Sequence, residues 1–500
     1  MVTVIVNGTK HVAEEGVTLS SVLAPTHSVG MPCGGRKSCG KCKVIATGSL
    51  SDISKEELKF LSSDEISGGI RLACCTVVKG DCQVTSILEG DDSISTDGDI
   101  PDMVLDPVFK KYGVAIDIGT TTLAARLYDT HGRMIADSSE INPQRGFGAD
   151  VISRIEAALG GAAAELAKVI RKMLNSMILE MSQKANISSM DVDSVVITGN
   201  TVMLHLLTET STEPLSHAPF DAQRLFGETV SASELDLNCL EPQTPVYLPI
   251  CAEAFIGADL TTALLASRIT ESDRVSLLVD IGTNGEMTLV NGDSLFLCST
   301  AAGPAFEGAG LSMGMGAKTG AITKVRVEDG EFKVNTIGNA SPIGICGSGV
   351  VDAVAALLEA EILDETGHID DDEAIVISAP VSISQNDIRM VQLAKSAIHA
   401  GMRTLLHYAK IDCEQVDQLC IAGGFGSYLD IVNAGKIGLI PNELVPKVRV
   451  LGNAALVGAA MLLLNGGMRT ECERILARGK VVILSADPVF NEEYVERMLF

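Results

Sequence analysis

The tetrapeptide D-I-G-T occurs twice, at Asp117–Thr120 and at Asp280–Thr283, each time directly after a run of apolar residues. Each copy reads as a strand that ends in a tight turn. The offset of 163 residues points to a duplicated unit, and so to two similar α/β halves facing one another across a cleft. The loop chemistry fits such a cleft. An Asp at a strand end can hold a hydrated Mg2+. Gly119 and Gly282 let the backbone approach a phosphate, whose oxygens can take hydrogen bonds from Thr120, Thr121, Thr122, Thr283, Asn284 and Gly285. A third stretch, I-A-G-G-F-G, follows another apolar run. Its Gly423, Gly424, Phe425 and Gly426 suit a purine and ribose lying against the backbone. The three loops together read as an ATP site, with Asp117, Asp280 and Glu286 as candidate catalytic carboxylates and no one of them singled out as the base.

A second chemistry lies upstream. Cys33, Cys39 and Cys42 follow the spacing C-x5-C-x2-C, and Cys74 comes after 31 intervening residues. Three thiolates on one loop with a remote fourth is the ligand pattern of a [2Fe–2S] cluster, here with one residue more in the first gap than the plant-type spacing. Gly34, Gly35 and Gly40 leave backbone N–H groups bare toward sulfur. A structural zinc site is the alternative, but it usually shows two C-x2-C pairs and this chain has one. Cys75 adjoins Cys74; on a strand the two would face opposite ways. Cys74 is the expected fourth ligand, with Cys75 and the more distant Cys82 left open. Cys346, opening a helix in G-I-C-G-S-G, reads as a close-packing position before a redox one.

Residues 1–88 read as a small β-rich domain: a strand at 2–6, a turn at Asn7-Gly8, a return strand from His11, a capping box at Ser54-x-x-Glu57, and closing strands at 71–78 and 83–88. Residues 89–111 are acidic and without periodicity, a flexible linker able to let the first domain swing. The remainder, 112–500, alternates strands with Ala- and Leu-rich helices, in lobes of about 112–275 and 276–500. A net charge of −26 excludes a nucleic-acid surface and favours a partner with basic patches. The longest apolar run, Ala454–Leu464, is too short to span a membrane, and the N-terminus has no signal pattern. Thirteen scattered cysteines argue for a reducing cytoplasm rather than a disulfide framework.

The order of the three loops resembles the acetate and sugar kinase, Hsp70 and actin superfamily. The likeness narrows with V-A-I-D-I-G-T-T-T (114–122), N-P-Q-R-G-F-G-A-D-V-I-S-R-I (142–155), L-L-V-D-I-G-T-N-G-E (277–286), S-T-A-A-G-P-A-F-E-G-A (299–309), G-I-C-G-S-G (344–349), Q-L-A-K-S-A-I (392–398) and A-G-G-F-G-S-Y-L-D (422–430). With the cysteine domain ahead of them, they are similar to the reductive activators of corrinoid-dependent enzymes over almost the whole chain. The resemblance implies a β-grasp ferredoxin-like domain joined to a two-lobed ATPase. It implies ATP-dependent transfer of one electron from a [2Fe–2S] cluster to a Co(II) corrinoid protein of a methyltransferase system, with an upstream low-potential electron donor. Lys37 stands where the family usually has Gly, which puts loop geometry and cluster potential in question. Only 35 positions separate Cys82 from Asp117, too few for the extra middle domain some members carry, so a homodimer built through one cannot be assumed. Other readings are an electron activator of the kind serving 2-hydroxyacyl-CoA dehydratases, a small-molecule kinase with an accessory metal domain, and a non-catalytic nucleotide and redox sensor.

Overall fold

Two six-stranded sheets share one strand order over four consecutive strands, in a computed structural model that describes all residues but 24–28, 30, 32–34, 38–39, 87–97, 329 and 370–373. Ahead of them lies a five-stranded sheet. Its strands are β1 (Val2–Val6), β2 (Thr9–Ala13), β3 (Lys43–Leu50), β4 (Ile70–Leu72) and β5 (Val78–Ser86), in the order β2-β1-β5-β3-β4. Only β1 and β5 run parallel; the other pairs are antiparallel. This mixed sheet holds its own core, which includes Val4, Leu19, Val44, Leu72 and Val84. The stretch expected to be one strand over 71–78 is broken: β4 stops at Leu72, and residues 73–75 form a turn that carries Cys74 and Cys75.

In the first lobe β6 (Tyr112–Ile118), β7 (Thr122–Asp129) and β8 (Met134–Ile141) form an antiparallel meander, and β9 (Val192–Gly199) pairs parallel with β6. β10 (Glu228–Ser231) and β11 (Pro245–Leu248) complete the sheet beyond β9. In the second lobe β12 (Ser276–Ile281), β13 (Gly285–Asn291) and β14 (Ser294–Thr300) repeat the meander. A smaller sheet of β15 (Ala321–Glu328), β16 (Glu331–Thr336) and β17 (Gly344–Ile345) and a hairpin of β18 (Ile375–Ser378) and β19 (Val381–Ile383) follow. β20 (Gln418–Ala422) then pairs parallel with β12, as β9 does with β6, flanked by β21 (Val448–Gly452), while β22 (Gly479–Val481) lies beside β14. The central strand β6 is buried at nearly every position, as expected of a strand covered on both faces.

The lobes are joined by two crossed helices. Ala454–Leu464, buried along its whole length, packs on β6 and β9 of the first sheet, and Ala258–Ser267 packs on β12 and β13 of the second as well as on β9. They touch at Gly458, where a Cβ would lie 1.9 Å from the Thr262 carbonyl oxygen, so only glycine permits the approach. The apolar run that is too short for a bilayer is therefore a helix buried where the lobes meet. Among the described residues no helix is long and apolar enough to cross a membrane. Of the segment 89–111, residues 98–111 run along this core. The Asp106 and Val108 N–H groups donate to the Leu464 and Leu463 carbonyls, and Phe109 is buried.

Candidate nucleotide cleft and cluster loop

Both D-I-G-T loops open into one cavity of about 610 Å3 between the lobes. Strand register places them equivalently. Asp117 lies beside Thr198 of β9 and opposite Ala124, while Asp280 lies beside Ala422 of β20 and opposite Glu286. Among the expected residues, Asp117, Gly119 to Thr122, Asp280, Gly282 to Asn284, Glu286 and Gly423 to Phe425 line the cavity. Gly285 and Gly426 are not among the lining residues: a Cβ on Gly285 would meet Thr300, and one on Gly426 would meet Ile421. Gly423 has φ +93°, and a Cβ there would sit 2.7 Å from Asp280 Oδ1. The third loop thus reaches the second only as glycine.

The first loop is held from behind by residues of N-P-Q-R-G-F-G-A-D-V-I-S-R-I. Asn142 Nδ2 donates to the Gly119 carbonyl at 2.8 Å, and the fully buried Arg154 guanidinium donates to the carbonyls of Thr120 and Gly148. In a planar trans peptide the next N–H lies on the opposite side from the carbonyl. Anchoring the Gly119 and Thr120 carbonyls therefore directs the Thr120 and Thr121 N–H groups away from the anchors, as a phosphate cradle requires.

Three residues bearing on this chemistry were not picked out from the sequence. Glu307 Oε2 accepts hydrogen bonds from Thr121 Oγ1 and Thr283 Oγ1, each at 2.7 Å, and so ties one loop to the other across the cleft. Asp259, near the start of helix Ala258–Ser267, and Asn453, which caps helix Ala454–Leu464, also line the cavity. G-P-A-F-E-G was visible as a motif, but nothing local says what its Glu faces. Phe306, one residue earlier, stacks on Phe425 of the third loop with centroids 5.2 Å apart.

The carboxylates crowd one another. Burial, and then Asp259, push Asp117 up to about 7 against the hydrogen bond donated by Asn453 Nδ2. Burial pushes Asp259 up to about 6 despite the Leu260 N–H on its Oδ1. Asp280 rises to about 8 through burial, then Asp259, Asp117 and Glu307. Glu286 is also raised well above the usual carboxylate range, by burial first and by Asp259 and Asp280 after it. Such a concentration of negative charge suits a divalent cation. Among the described residues no three His, Cys, Asp or Glu side chains converge as a direct coordination shell. The set fits a hydrated ion that keeps several waters and takes its remaining ligands from phosphate.

In the first domain Cys42 Sγ and Cys74 Sγ lie 3.3 Å apart, and the Cys74 N–H donates to Cys42 Sγ at 3.5 Å. Two facing thiols with an amide directed at sulfur fit an iron–sulfur ligand set. Cys33, Cys39 and Gly34 lie outside the described residues. Cys74 and Cys75 share a turn rather than a strand, so the expected opposition of faces does not apply; their sulfurs are 3.8 Å apart, and the one meeting Cys42 belongs to Cys74. Cys82 sits in β5 opposite Val4 and Gly48. The turn is fixed by Glu57, whose carboxylate takes a two-point hydrogen bond from buried Arg71, at 2.9 and 3.1 Å, and accepts the Leu72 N–H and the Thr76 hydroxyl. Burial would raise Glu57, but Arg71 and the N–H groups of Ser54 and Leu72 bring it down to about 2. The capping box read from sequence is real, yet the main work of Glu57 is across the domain. Cys346 immediately precedes helix Gly347–Glu359 and its thiol donates to the Ile322 carbonyl, a packing contact at the cavity wall.

Residues 274–500 match the family model for the C-terminal domain of RACo, the ASKHA domain, and residues 112–272 match the RACo middle region. The chain is 36% identical over 420 residues to the corrinoid activation enzyme RamQ of Eubacterium limosum, covering 78% of this chain and 70% of that protein. This chain belongs to the RACo family. A further relative of this RACo-family chain is the [Co(II) methylated amine-specific corrinoid protein] reductase of Methanosarcina barkeri, 25% identical over 416 residues, 77% of this chain and 76% of that one. A solved structure titled reductive activator for corrinoid,iron-sulfur protein superposes with TM-score 0.73 at 28% identity, covering 100% of this chain and 98% of the other. Residues 4–79 match the 2Fe-2S iron–sulfur cluster binding domain. The RACo middle region is thus the first lobe itself, containing the first D-I-G-T, and not an insert ahead of it as the sequence reading supposed.

Proposed function

We propose that this chain is an ATP-dependent reductive activator that delivers one electron to the Co(II) corrinoid of a partner protein in a methyltransferase system, returning it to Co(I). The observation that carries this reading is the pairing, on one chain, of the Cys42–Cys74 approach with a two-lobed cleft whose phosphate loops are joined by Glu307. Cys33, Cys39, Cys42 and Cys74 would hold a [2Fe–2S] cluster, which when bound supplies a single electron near −400 mV. Each 59 mV uphill to a lower-potential acceptor costs about tenfold in the equilibrium, roughly 1.4 kcal/mol. Nucleotide can offset that only through different affinities for the two states of the complex.

The residues divide the task. The amides and hydroxyls of Gly119 to Thr122 and Gly282 to Asn284 would hold the phosphates of ATP, Asp117 and Asp280 would hold its Mg2+, and Gly423 to Phe425 would receive the base. Glu286, raised and set opposite Asp280, is placed to take up or release a proton near the phosphates. The Glu57–Arg71 pair keeps the Cys74 turn rigid, which limits reorganisation on a one-electron change. Among the described residues no cysteine is in a disulfide, in keeping with a reducing cytoplasm.

The test is anaerobic. Iron-loaded protein, a low-potential reductant and a Co(II) corrinoid protein are mixed with and without Mg2+–ATP, and the cobalt spectrum is followed. Co(I) should form only with ATP and should be lost in Cys42→Ser. An unchanged cobalt spectrum with several corrinoid partners, or phosphoryl transfer to a small acceptor instead, would overturn the reading.

A further inference from the structure

The cluster loop of the first domain touches both lobes of the second. Lys41, next to Cys42, donates its Nζ to two main-chain carbonyls of the second lobe, Leu311 at 2.7 Å and Ser312 at 2.9 Å. Arg36, on the same loop, forms an ion pair with Glu156 in helix Val151–Ala157 of the first lobe. Lys41 and Arg36, five positions apart, therefore reach the two halves that the nucleotide cavity separates.

The seat on the second lobe is well founded. The Ser312 N–H and hydroxyl both donate to Asp387, the N–H at 2.6 Å, and Asp387 also caps helix Gln385–Ala409 through Ser384. Five residues before Ser312 stands Glu307, which holds both phosphate loops; a few residues after it, Met315, Gly316 and Ala317 line the cavity wall. Movement of Glu307 or of the wall is thus carried into the carbonyls that hold Lys41. The contacts are also individually weak. Arg36 and Glu156 are more than half exposed, where ion pairs contribute little, and a single ammonium cannot hold a domain alone. This suits reversible docking.

We propose that these contacts form an intramolecular docking seat for the iron–sulfur domain, made of Glu156 from one lobe and the Leu311–Ser312 carbonyls from the other, and that nucleotide controls its occupancy by setting the spacing of the lobes. Both contacts are made together at the spacing the lobes have here. A change in cleft closure breaks one of them and releases the cluster loop toward its acceptor. The nucleotide half of this inference rests on the reading of the cleft as an ATP site; the seat itself does not.

Hydrogen exchange of the full-length, iron-loaded protein separates the two. Wild type is compared with Lys41→Met, and with Arg36→Glu alone and combined with Glu156→Arg, each with and without Mg2+ and a non-hydrolysable ATP analogue; iron per chain is measured throughout. Without nucleotide, residues 308–313 should exchange several-fold faster in Lys41→Met than in wild type. Arg36→Glu should loosen 151–157, and adding Glu156→Arg should restore it. The analogue should change exchange at 308–313 in wild type and leave Lys41→Met unaffected there. Equal exchange of 308–313 in wild type and Lys41→Met, together with no rescue by the reversed pair, would overturn the seat. Protection of 117–122 and 280–285 by the analogue with no change at 308–313 would overturn nucleotide control. No protection of either loop would sink the ATP reading instead, while the nucleotide-free comparison still judges the seat.

Discussion

Lys37 has φ +61°, in the left-handed region where a side chain costs about 1–2 kcal/mol and glycine nothing. The departure from the family's usual Gly is therefore a local strain carried inside the cluster loop. Replacing it with glycine relieves that strain but adds freedom to the unfolded chain, roughly 0.5–1 kcal/mol in the other direction. Relief wins by a small margin. Lys37→Gly should slow the release of iron to a chelator modestly, and Lys37→Val, β-branched in the same region, should speed it. Lys37 is also a positive charge acting on Cys75, so its loss should lower the reduction potential in a spectroelectrochemical titration. At the cleft the residue-scale prediction concerns protons. Asp117 and Asp280 sit at about 7 and about 8, and a cation binds only their ionised forms. Binding of Mg2+–nucleotide should strengthen as pH rises from 6 through 8, level off above that, and release protons. Calorimetry in buffers of different ionisation enthalpy reads the proton count, which Asp280→Asn should reduce. Affinity that falls over the same pH range would contradict this account.

At the scale of elements, the turn bearing Cys74 depends on Glu57, a side chain 17 positions earlier. Glu57→Ala leaves Arg71 buried without its partner, a change worth about 3–5 kcal/mol. It should raise exchange over residues 70–86 and lower the iron content of the purified full-length chain, with the nucleotide lobes unaffected. Because folding lowers Glu57 from 4.5 to about 2, its contribution is complete above pH 4.5 and is lost as pH falls toward 2. The central strands of the two lobes were readable because each is an unbroken apolar run: those ahead of the two D-I-G-T loops stand as β6 and β12. Where the reading failed, the deciding contact was distant. Nothing near Cys74 announces that Glu57 will pull its segment into a turn. Nothing near Glu307 announces Thr121, 186 positions away. Asp259 and Asn453 begin two helices whose meeting is fixed only when the lobes assemble. The two D-I-G-T turns were legible, and both line the cavity, because an apolar strand ending in a glycine turn is a local pattern.

At the scale of the whole molecule the cores differ in how far they reach. The core of the iron–sulfur domain draws only on residues between Val4 and Val84. The core around the crossed helices draws on both lobes at once, joining Ala115 and Val196 of the first sheet to Leu278 and Cys420 of the second. The lobes share this core, whereas the first domain has a core of its own and is tied to the lobes through Lys41 and Arg36. Two thermal transitions follow. A ligand that binds only the folded state stabilises it by about 2.7 kcal/mol at a hundredfold excess over its Kd. Mg2+–ADP at that excess should shift the larger transition upward and move the smaller one little. Removing iron with a chelator should do the reverse, lowering the smaller transition because ligand binding there is coupled to folding. Scanning calorimetry with each treatment alone and then both together should give additive shifts, since the two cores share no residue. One merged transition displaced equally by both treatments would mean that the docking contacts, and not the cores, set the cooperativity of the chain.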